Sequence, residues 1–550
     1  MPALHDIPFK RDKKIFSLFA SLIFVSHPLQ TQAVTYIWQR SEVLSALFFM
    51  SSYYFWITAR CKRKNKFYIF ALGLFILGLM DKGTILSLPF IILLTDISFF
   101  RNAEQRKDLL KAIRPLFLFF ILILVLMFLP YEKIQYAMKF YHLAFMKFFG
   151  MHLSWLYMLT QFRVIPQYIK LCFFPVGQNL DYYFPLAHTG WNISTVSSFL
   201  FVCFILYGAC RLLIKKPLAA FGIFWFLICL LPTSFASREP LWEHRTYLSI
   251  AGFALLLVTL IFSFISDGKI RDRTIIAIIA IFSLLTIARN SLWRDPIALM
   301  EDTVKKSPLN ARAHLGLGTL YSIKGDKRKA IEHLEKSIRL NPQYAKPYNN
   351  LGLIYQERGD YQKAIPLFSE AIAKGKNFNL PYINLAYIYI SLRNFQEAER
   401  LLTQALKIRK TDEVYRGIAT LHFAEGKLNS AKNFFKKSLT LNPTNKKAYF
   451  NLGDLYFMEG NFLLAIEMYQ RALDIDPSFR DVYVNMGVVY YNQGDLENAK
   501  ISFEKALVLR PNDRIYRNLA NVYHALKDYE KARECYEKSR VLYSPYIRLH

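Results

Sequence analysis

Cysteine is scarce in this sequence, and its arrangement excludes more than its number. The six residues, Cys61, Cys172, Cys203, Cys210, Cys229 and Cys535, form no C-x-x-C pair, and four of them lie in apolar runs. Such spacing indicates neither a disulfide framework nor a zinc site. A P-loop, a nucleophile triad, a glycine-rich dinucleotide loop and any cluster with metal-ligand spacing are also missing. No cofactor and no metal are therefore implied. Acids are few in the first half. Residues 1–290 hold 13 against 30 Lys and Arg, whereas residues 291–550 hold 28 against 40. The resulting net charge is +29, yet no RNA- or DNA-binding motif accompanies it. Most of the early excess sits in short loops between apolar runs. That is the pattern of cytoplasmic membrane anchors, so nucleic acid is not an expected partner.

What is present falls into two parts. The chain is 53% hydrophobic but still 20% charged, which predicts one apolar region and one soluble region. Apolar runs lie near 15–27, 43–59, 67–80, 84–100, 115–131, 143–160, 164–175, 194–210, 218–235, 246–266 and 273–289. A helix crossing a bilayer needs about 20 apolar residues, and several of these runs are shorter. The 67–80 and 84–100 runs, separated only by Asp81, Lys82 and Gly83, read as a tight hairpin of tilted helices. The runs 143–160 and 164–175 either cross or lie in the interface. Basic clusters at 10–14, 60–66, 101–114, 211–216 and 269–273 then fall on one side, which the positive-inside rule makes cytoplasmic. The loops 27–42, 81–83, 132–142, 176–193 and 236–245 face outward. The span 273–289 runs outward too, so everything after it is expected outside the cytoplasm. The N-terminal run is followed by His27-Pro28-Leu29-Gln30 rather than a small-residue cleavage site, and reads as a retained span.

From Pro308 onward the sequence repeats itself. Gly318, Gly352, Ala386, Ala419, Gly453, Gly487 and Ala520 recur 33 or 34 residues apart. Tyr321, Tyr355, Tyr389, His422, Tyr456, Tyr490 and Tyr523 follow three residues later. Ala330, Ala364, Ala398, Ala431, Ala465, Ala499 and Ala532 form a third row, and Pro342, Pro443, Pro477 and Pro511 punctuate the ends. Small residues let two helices approach closely, and proline stops a helix because it has no N–H to donate. A 34-residue period of this kind marks tetratricopeptide (TPR) helix pairs, each burying its apolar face against its neighbours. The sequence thus predicts an all-α protein in which a polytopic transmembrane helical domain precedes a TPR α-solenoid. The domains are residues 1–290 with about eleven helices, a linker at 291–307, seven repeats at 308–543 and a tail at 544–550.

A fourth row lies two residues before the small position: Asn350, Asn384, Asn451, Asn485 and Asn518, with Gly316 and Gly417 in the first and fourth repeats. On the first helix of a TPR pair this position is expected to face the groove, exposed. An amide there can donate to and accept from a peptide backbone. Two readings stand. Either the row binds an extended protein or peptide, or asparagine recurs by repeat descent and meets only water.

The outward loops carry the remaining chemistry. One reads His27-Pro28-Leu29-Gln30-Thr31-Gln32-Ala33-Val34 and continues to Trp38, Arg40 and Glu42. Asp81 and Lys82 follow, then Pro175-Val176-Gly177-Gln178-Asn179-Leu180-Asp181-Tyr182, then Glu243-His244-Arg245-Thr246-Tyr247-Leu248, then Trp293-Arg294 before the repeats. In this order the motifs H-P-x-x-T-x-A-V, P-x-x-x-N-L-D-Y and E-H-R-x-Y-L resemble the TPR-containing transmembrane O-mannosyltransferase-like family, over nearly the whole chain. That resemblance implies a membrane domain of the GT-C glycosyltransferase type. It also implies transfer of a sugar, typically mannose, from a polyprenyl-phosphate donor to protein Ser or Thr on the outer face. Arg245, Arg40, Lys82 and His244 would meet the donor phosphate, and a carboxylate would act as base. The departure is at the start. Members usually carry two further spans and an acidic outward loop before the H-P-x-x-T stretch, whereas about 14 residues precede the first apolar run here. Asp6 and Asp12 fall on the inner side, leaving Asp81, Glu42 and Asp181 as the outward candidates for that base. The alternative function is a non-catalytic membrane-anchored TPR scaffold. Membrane lipid and a groove-bound protein are the expected partners under either reading.

Overall fold

The computed structural model describes residues 13–35, 40–100, 155–185, 192–235 and 241–543, and every regular element among them is helical. The expected span 115–131, most of 143–160 and the tail 544–550 lie outside the described residues. The chain divides into two compact units, Met1–Leu320 and Tyr321–His550.

The first unit contains α1 (Lys13–Ser26), α2 (Arg40–Lys62), α3 (Lys66–Asp81), α4 (Leu88–Phe99) and α5 (Trp155–Phe173). After them come α6 (Ile193–Lys215), α7 (Pro217–Phe235), α8 (Ser249–Phe264), α9 (Gly268–Leu292) and α10 (Pro296–Lys306). Two of these, α6 and α9, are long and apolar enough to cross a membrane; Thr84–Phe99, Pro217–Pro232 and Ser249–Phe264 are shorter apolar helices. Both long helices leave their apolar side chains uncovered, with Leu200, Phe204, Tyr207 and Ile214 exposed on α6 and Ile276, Ile281, Leu284 and Ile287 on α9.

Packing in this unit follows small residues. Gly222 on α7 and Gly252 on α8 lie back to back. A Cβ on either would sit 2.6–2.7 Å from the other's carbonyl oxygen, so any side chain there would force the two backbones apart. The expected hairpin of 67–80 with 84–100 is not what forms. The partner of α3 is α2, while α4 packs mainly on α7 beyond a 3-10 turn at Gly83–Ser87. The reason lies in the small face of α3. Ser52 Oγ donates to Ala71 O at 2.6 Å, and Gly78 lets both Phe48 of α2 and Ile85 of the 3-10 turn approach. Residues placed in the linker also form a helix: α10 starts at Pro296 behind Asp295, whose carboxylate accepts from Ile297 N at 2.9 Å.

The repeats form seven consecutive helix pairs, from Ala311–Lys324 to Tyr529–Tyr543. Each pair turns on a residue with positive φ: Gly325, Gly359, Arg393, Gly426, Gly460, Gly494 and Lys527. This left-handed residue closes the first (A) helix, and glycine adopts it without steric cost. In six repeats the next residue is Asp or Asn, whose side chain accepts from the backbone three residues on and caps the second (B) helix. Within a pair, Gly352, Gly453 and Gly487 face the rings of Phe368, Tyr469 and Phe503, sixteen residues later. Successive A helices also pack on one another, which puts the A row on the inside of the curve.

Candidate functional site

Two constellations carry chemistry. The first gathers residues from the loop ends of the helical unit. Lys82 Nζ lies 2.5 Å from Glu42 Oε1, and the Glu42 carboxylate is only 4% exposed. Arg245 and Asp81 lie within electrostatic reach of the same carboxylate. Gln32 ties the neighbouring stretches together, donating to Leu180 O at 3.1 Å and accepting from His244 N at 2.8 Å. Burial, reinforced by the Lys82 and Arg245 cations, lowers the His244 imidazolium to about 3. His244 is therefore neutral at physiological pH and offers no cation to a phosphate.

A second knot lies beside the first. Glu243 Oε1 accepts from Asn179 N and from Tyr182 Oη, both at 2.6 Å. Burial raises the Glu243 carboxyl above its ordinary range, against the pull of Arg289 and these two donors. Asp181 accepts from Arg312 Nε at 2.6 Å and Nη2 at 2.5 Å, a paired contact that commits the carboxylate. Asn310 Nδ2 reaches Asp181 O at 3.1 Å, Lys306 Nζ reaches Gln178 O at 2.7 Å, and Asn179 Nδ2 reaches Ser307 Oγ at 2.8 Å. The stretch 178–182 is thus fastened to the corner between α10 and the helix that follows it.

The structure therefore brings Glu42, Lys82, Asp81, Arg245 and His244 together, and places Asp181 in the separate Arg312 contact. The side chain of Arg40 lies outside the described residues. Sequence reasoning missed the fastening by Glu243, Asn179, Ser307 and Arg312. Asn179 and Glu243 stood in the loop motifs, but nothing in their spacing linked them to each other or to Ser307 and Arg312.

The second constellation is the A row. Its asparagines are half-buried, not exposed as expected from sequence, and three of them reach back toward the preceding A helix. Asn384 Nδ2 donates to Asn349 Oδ1 at 2.9 Å, Asn451 Nδ2 to Thr420 Oγ1 at 3.4 Å, and Asn485 Nδ2 to Asp454 Oδ1 at 2.7 Å. Asn349 in turn donates to Asn350 Oδ1 at 3.2 Å. In these repeats the amide nitrogen serves the array itself.

Asp454 shows what this costs. It takes bonds from Asn485 and from Tyr469 Oη, the latter at 2.5 Å. Even so, burial raises its carboxyl above the ordinary 3.8, because the two donors do not fully replace water. A carboxyl raised by folding penalises the folded state once it ionises. Stability is therefore greatest below 3.8 and declines as pH rises through the elevated value. Asp454→Asn keeps an acceptor for both donors and loses the charge. Thermal melts of the two proteins across pH 3.5 to 7, a window set by roughly the carboxyl range, should converge at the acid end. Asn should be the more stable residue at neutral pH, by about 1 kcal/mol. Parallel pH profiles would remove Asp454 as the cause.

The repeat half is a TPR array. Models described as TPR repeat match residues 318–359 and 453–494, and tetratricopeptide repeat models match 355–421, 413–445, 434–467 and 479–544. Among solved structures, a tetratricopeptide repeat protein from Parabacteroides merdae is 22% identical, with a TM-score of 0.37, covering 42% of this chain and 92% of that one. YrrB, a TPR protein with an unusual peptide-binding site, is 21% identical with a TM-score of 0.25, covering 36% and 100%. Among curated proteins, the chain is similar to Protein O-mannosyl-transferase F38B6.6 of Caenorhabditis elegans. The two are 25% identical over 338 residues, 58% of this chain and 45% of the relative. The chain thus matches less than half the length of that relative.

Proposed function

We propose that this chain is a multi-pass membrane protein that carries a TPR groove on the non-cytoplasmic side and holds extended polypeptide there. The observation that carries the groove reading is the polar A row, in which amides recur at one position in five of seven repeats. The oxygens of Asn384, Asn451 and Asn485 can accept from a passing backbone N–H while their nitrogens are engaged within the array. Such contacts ignore side chains and suit a protein that accepts many sequences.

The membrane reading is supported by how the first unit sorts its contacts. Residues assigned from sequence to the outward face meet one another: Glu42 with Lys82, Gln32 with Leu180 and His244, Asn179 with Glu243. Residues near the basic ends pair likewise: Arg60 with Asp96, and Lys216 with the ring of Phe264. Ser26 and Thr286, both at outward ends of their runs, share a 2.7 Å bond. Uncovered apolar side chains along α6 and α9 suit lipid better than water. Affinity for an unstructured peptide, measured before and after Ala replaces Asn451, Asn485 and Asn518, tests the groove.

A second reading rests on a different observation. A buried acid, a lysine and an arginine converge at loop ends where a lipid-phosphate headgroup would lie. With the mannosyl-transferase relative, this supports sugar transfer from a polyprenyl-phosphate donor to protein hydroxyls. Arg245 and Lys82 would meet the phosphate, and Glu42 or Asp81 would serve as base. Against it, the Lys82 ammonium that would meet the phosphate is already committed to Glu42, whose carboxyl is raised by burial above its ordinary range in spite of that cation. The scaffold reading is therefore preferred.

A further inference from the structure

The cations of the array are mostly matched. Lys432 pairs with Glu459 at 2.8 Å, Lys446 with Asp476 at 2.5 Å, and Lys327 with Glu357. Arg416, on the A helix Asp412–Ala424, and Lys447, on the next A helix Lys446–Met458, differ. Among the described residues no carboxylate lies within ion-pair distance of either, and that includes Glu413 one turn before Arg416. Arg416 Nε is moreover buried without an acceptor. Lys447 lies within electrostatic reach of Arg416 and of Lys446, and the acid that also reaches it, Glu357, is already held by Lys327.

Geometry places them together on the groove wall. Lys447 precedes Asn451 by four residues and so shares its helix face. Asn451 reaches Thr420, whose hydroxyl donates to Arg416 O at 2.9 Å. The Arg416 guanidinium rests 5.3 Å from the ring centroid of Tyr387 on the preceding A helix, which fixes its plane. Repeats three to five thus present an aromatic platform, a half-buried guanidinium, an exposed ammonium and an amide in one strip. Two unneutralised cations repel, and a carboxylate between them relieves that repulsion while matching the guanidinium fork.

We propose that this strip, Tyr387, Arg416, Thr420, Lys447 and Asn451, receives an Asp or Glu side chain of an extended polypeptide lying in the groove. The inference rests on the groove holding polypeptide at all. The carboxylate accepts from Arg416 and Lys447, while the flanking backbone meets Asn451 and Asn384. Specificity then comes from one acidic residue set in an otherwise sequence-tolerant contact.

The test uses the full chain in phosphatidylcholine nanodiscs and two fluorescein-labelled Gly-Ser peptides of equal length, one carrying Glu and the other Gln at the same positions. At low salt the Glu peptide should bind about tenfold more tightly, the size of one charge-assisted hydrogen bond. That preference should vanish in the Arg416→Gln/Lys447→Gln variant. It should persist in Lys436→Gln/Lys437→Gln, which removes the same charge from exposed positions on the B helix Leu428–Leu441. Equal binding of both peptides would overturn the acidic preference and leave the groove reading intact. An equal loss in the control variant would also overturn it, by assigning the preference to net charge. Failure of both peptides to bind would overturn the groove reading itself.

Discussion

Gly453→Ala is expected to destabilise the repeat array by about 2 kcal/mol, although alanine is the better helix former and Ala386, Ala419 and Ala520 occupy the same register elsewhere. A Cβ on Gly453 would lie 2.5 Å from Tyr469 Cε1 and 2.6 Å from Cδ1. The ring cannot retreat, because its hydroxyl is held by Asp454 at 2.5 Å and its surface is fully buried. Repeat four supplies the contrast. Ala419 there stands in register with Phe435, both fully buried in one cluster, and a phenylalanine has no hydroxyl to tether it. Tyr469→Phe should therefore rescue Gly453→Ala in part. The coupling in a double-mutant cycle of thermal or urea unfolding should be about 1–2 kcal/mol. Simple additivity would show that the tether does not set the packing.

The largest effect is expected in the first unit. Lys82→Ala leaves Glu42 buried without its cation, and removing one partner of such a pair typically costs about 3–5 kcal/mol. Lys82 is itself one quarter exposed, which places the expectation at the lower end, about 3 kcal/mol. Glu42→Gln/Lys82→Met removes both charges and should recover most of the loss in the unfolding midpoint of the detergent-solubilised protein. The pair of variants also separates the two functional readings. A structural ion pair predicts that stability and peptide binding return together in the double variant. A sugar-transfer site predicts that transfer from a polyprenyl-phosphate mannose stays lost in membranes carrying either variant, although the fold recovers.

Much of the array was legible from residue spacing, because a solenoid reports its packing at a fixed period. The small residues of the A helix mark where Phe368, Tyr469 and Phe503 press in. The turn glycines Gly325, Gly359, Gly426, Gly460 and Gly494 keep the same period, a regularity plain in the sequence and overlooked in its reading. Arg393 and Lys527 stand in that register too, and only their backbone angles reveal the equivalence. The row of asparagines was found, but not its engagement. Whether an amide faces solvent or the preceding helix depends on the angle between repeats, which spacing does not encode. Arg416 and Lys447 escaped notice because they are single charges rather than a row. In the first unit the outward stretches were identified, yet Asp181 was grouped with Glu42 and Asp81. Its partner Arg312 lies 131 residues away, and only tertiary structure assigns it. The pairing of α3 with α2 rather than α4 was likewise invisible to run lengths, since it follows from the small residues of α3.

The central claim is that the A row grips polypeptide backbone. It is tested most directly by anisotropy of the labelled Gln peptide on the full chain in nanodiscs, comparing native protein with the Asn451→Ala/Asn485→Ala/Asn518→Ala variant. The Gln peptide carries no acidic side chain at the position tested, so the Arg416 and Lys447 strip does not contribute to its grip. Because Asn451 and Asn485 also bond to the preceding repeat, circular dichroism must first show both arrays folded at the temperature used. Three lost neutral hydrogen bonds at about 0.5–1.5 kcal/mol each predict at least about a tenfold weaker affinity. Unchanged affinity with the helices intact would mean that the asparagines serve only to join one repeat to the next.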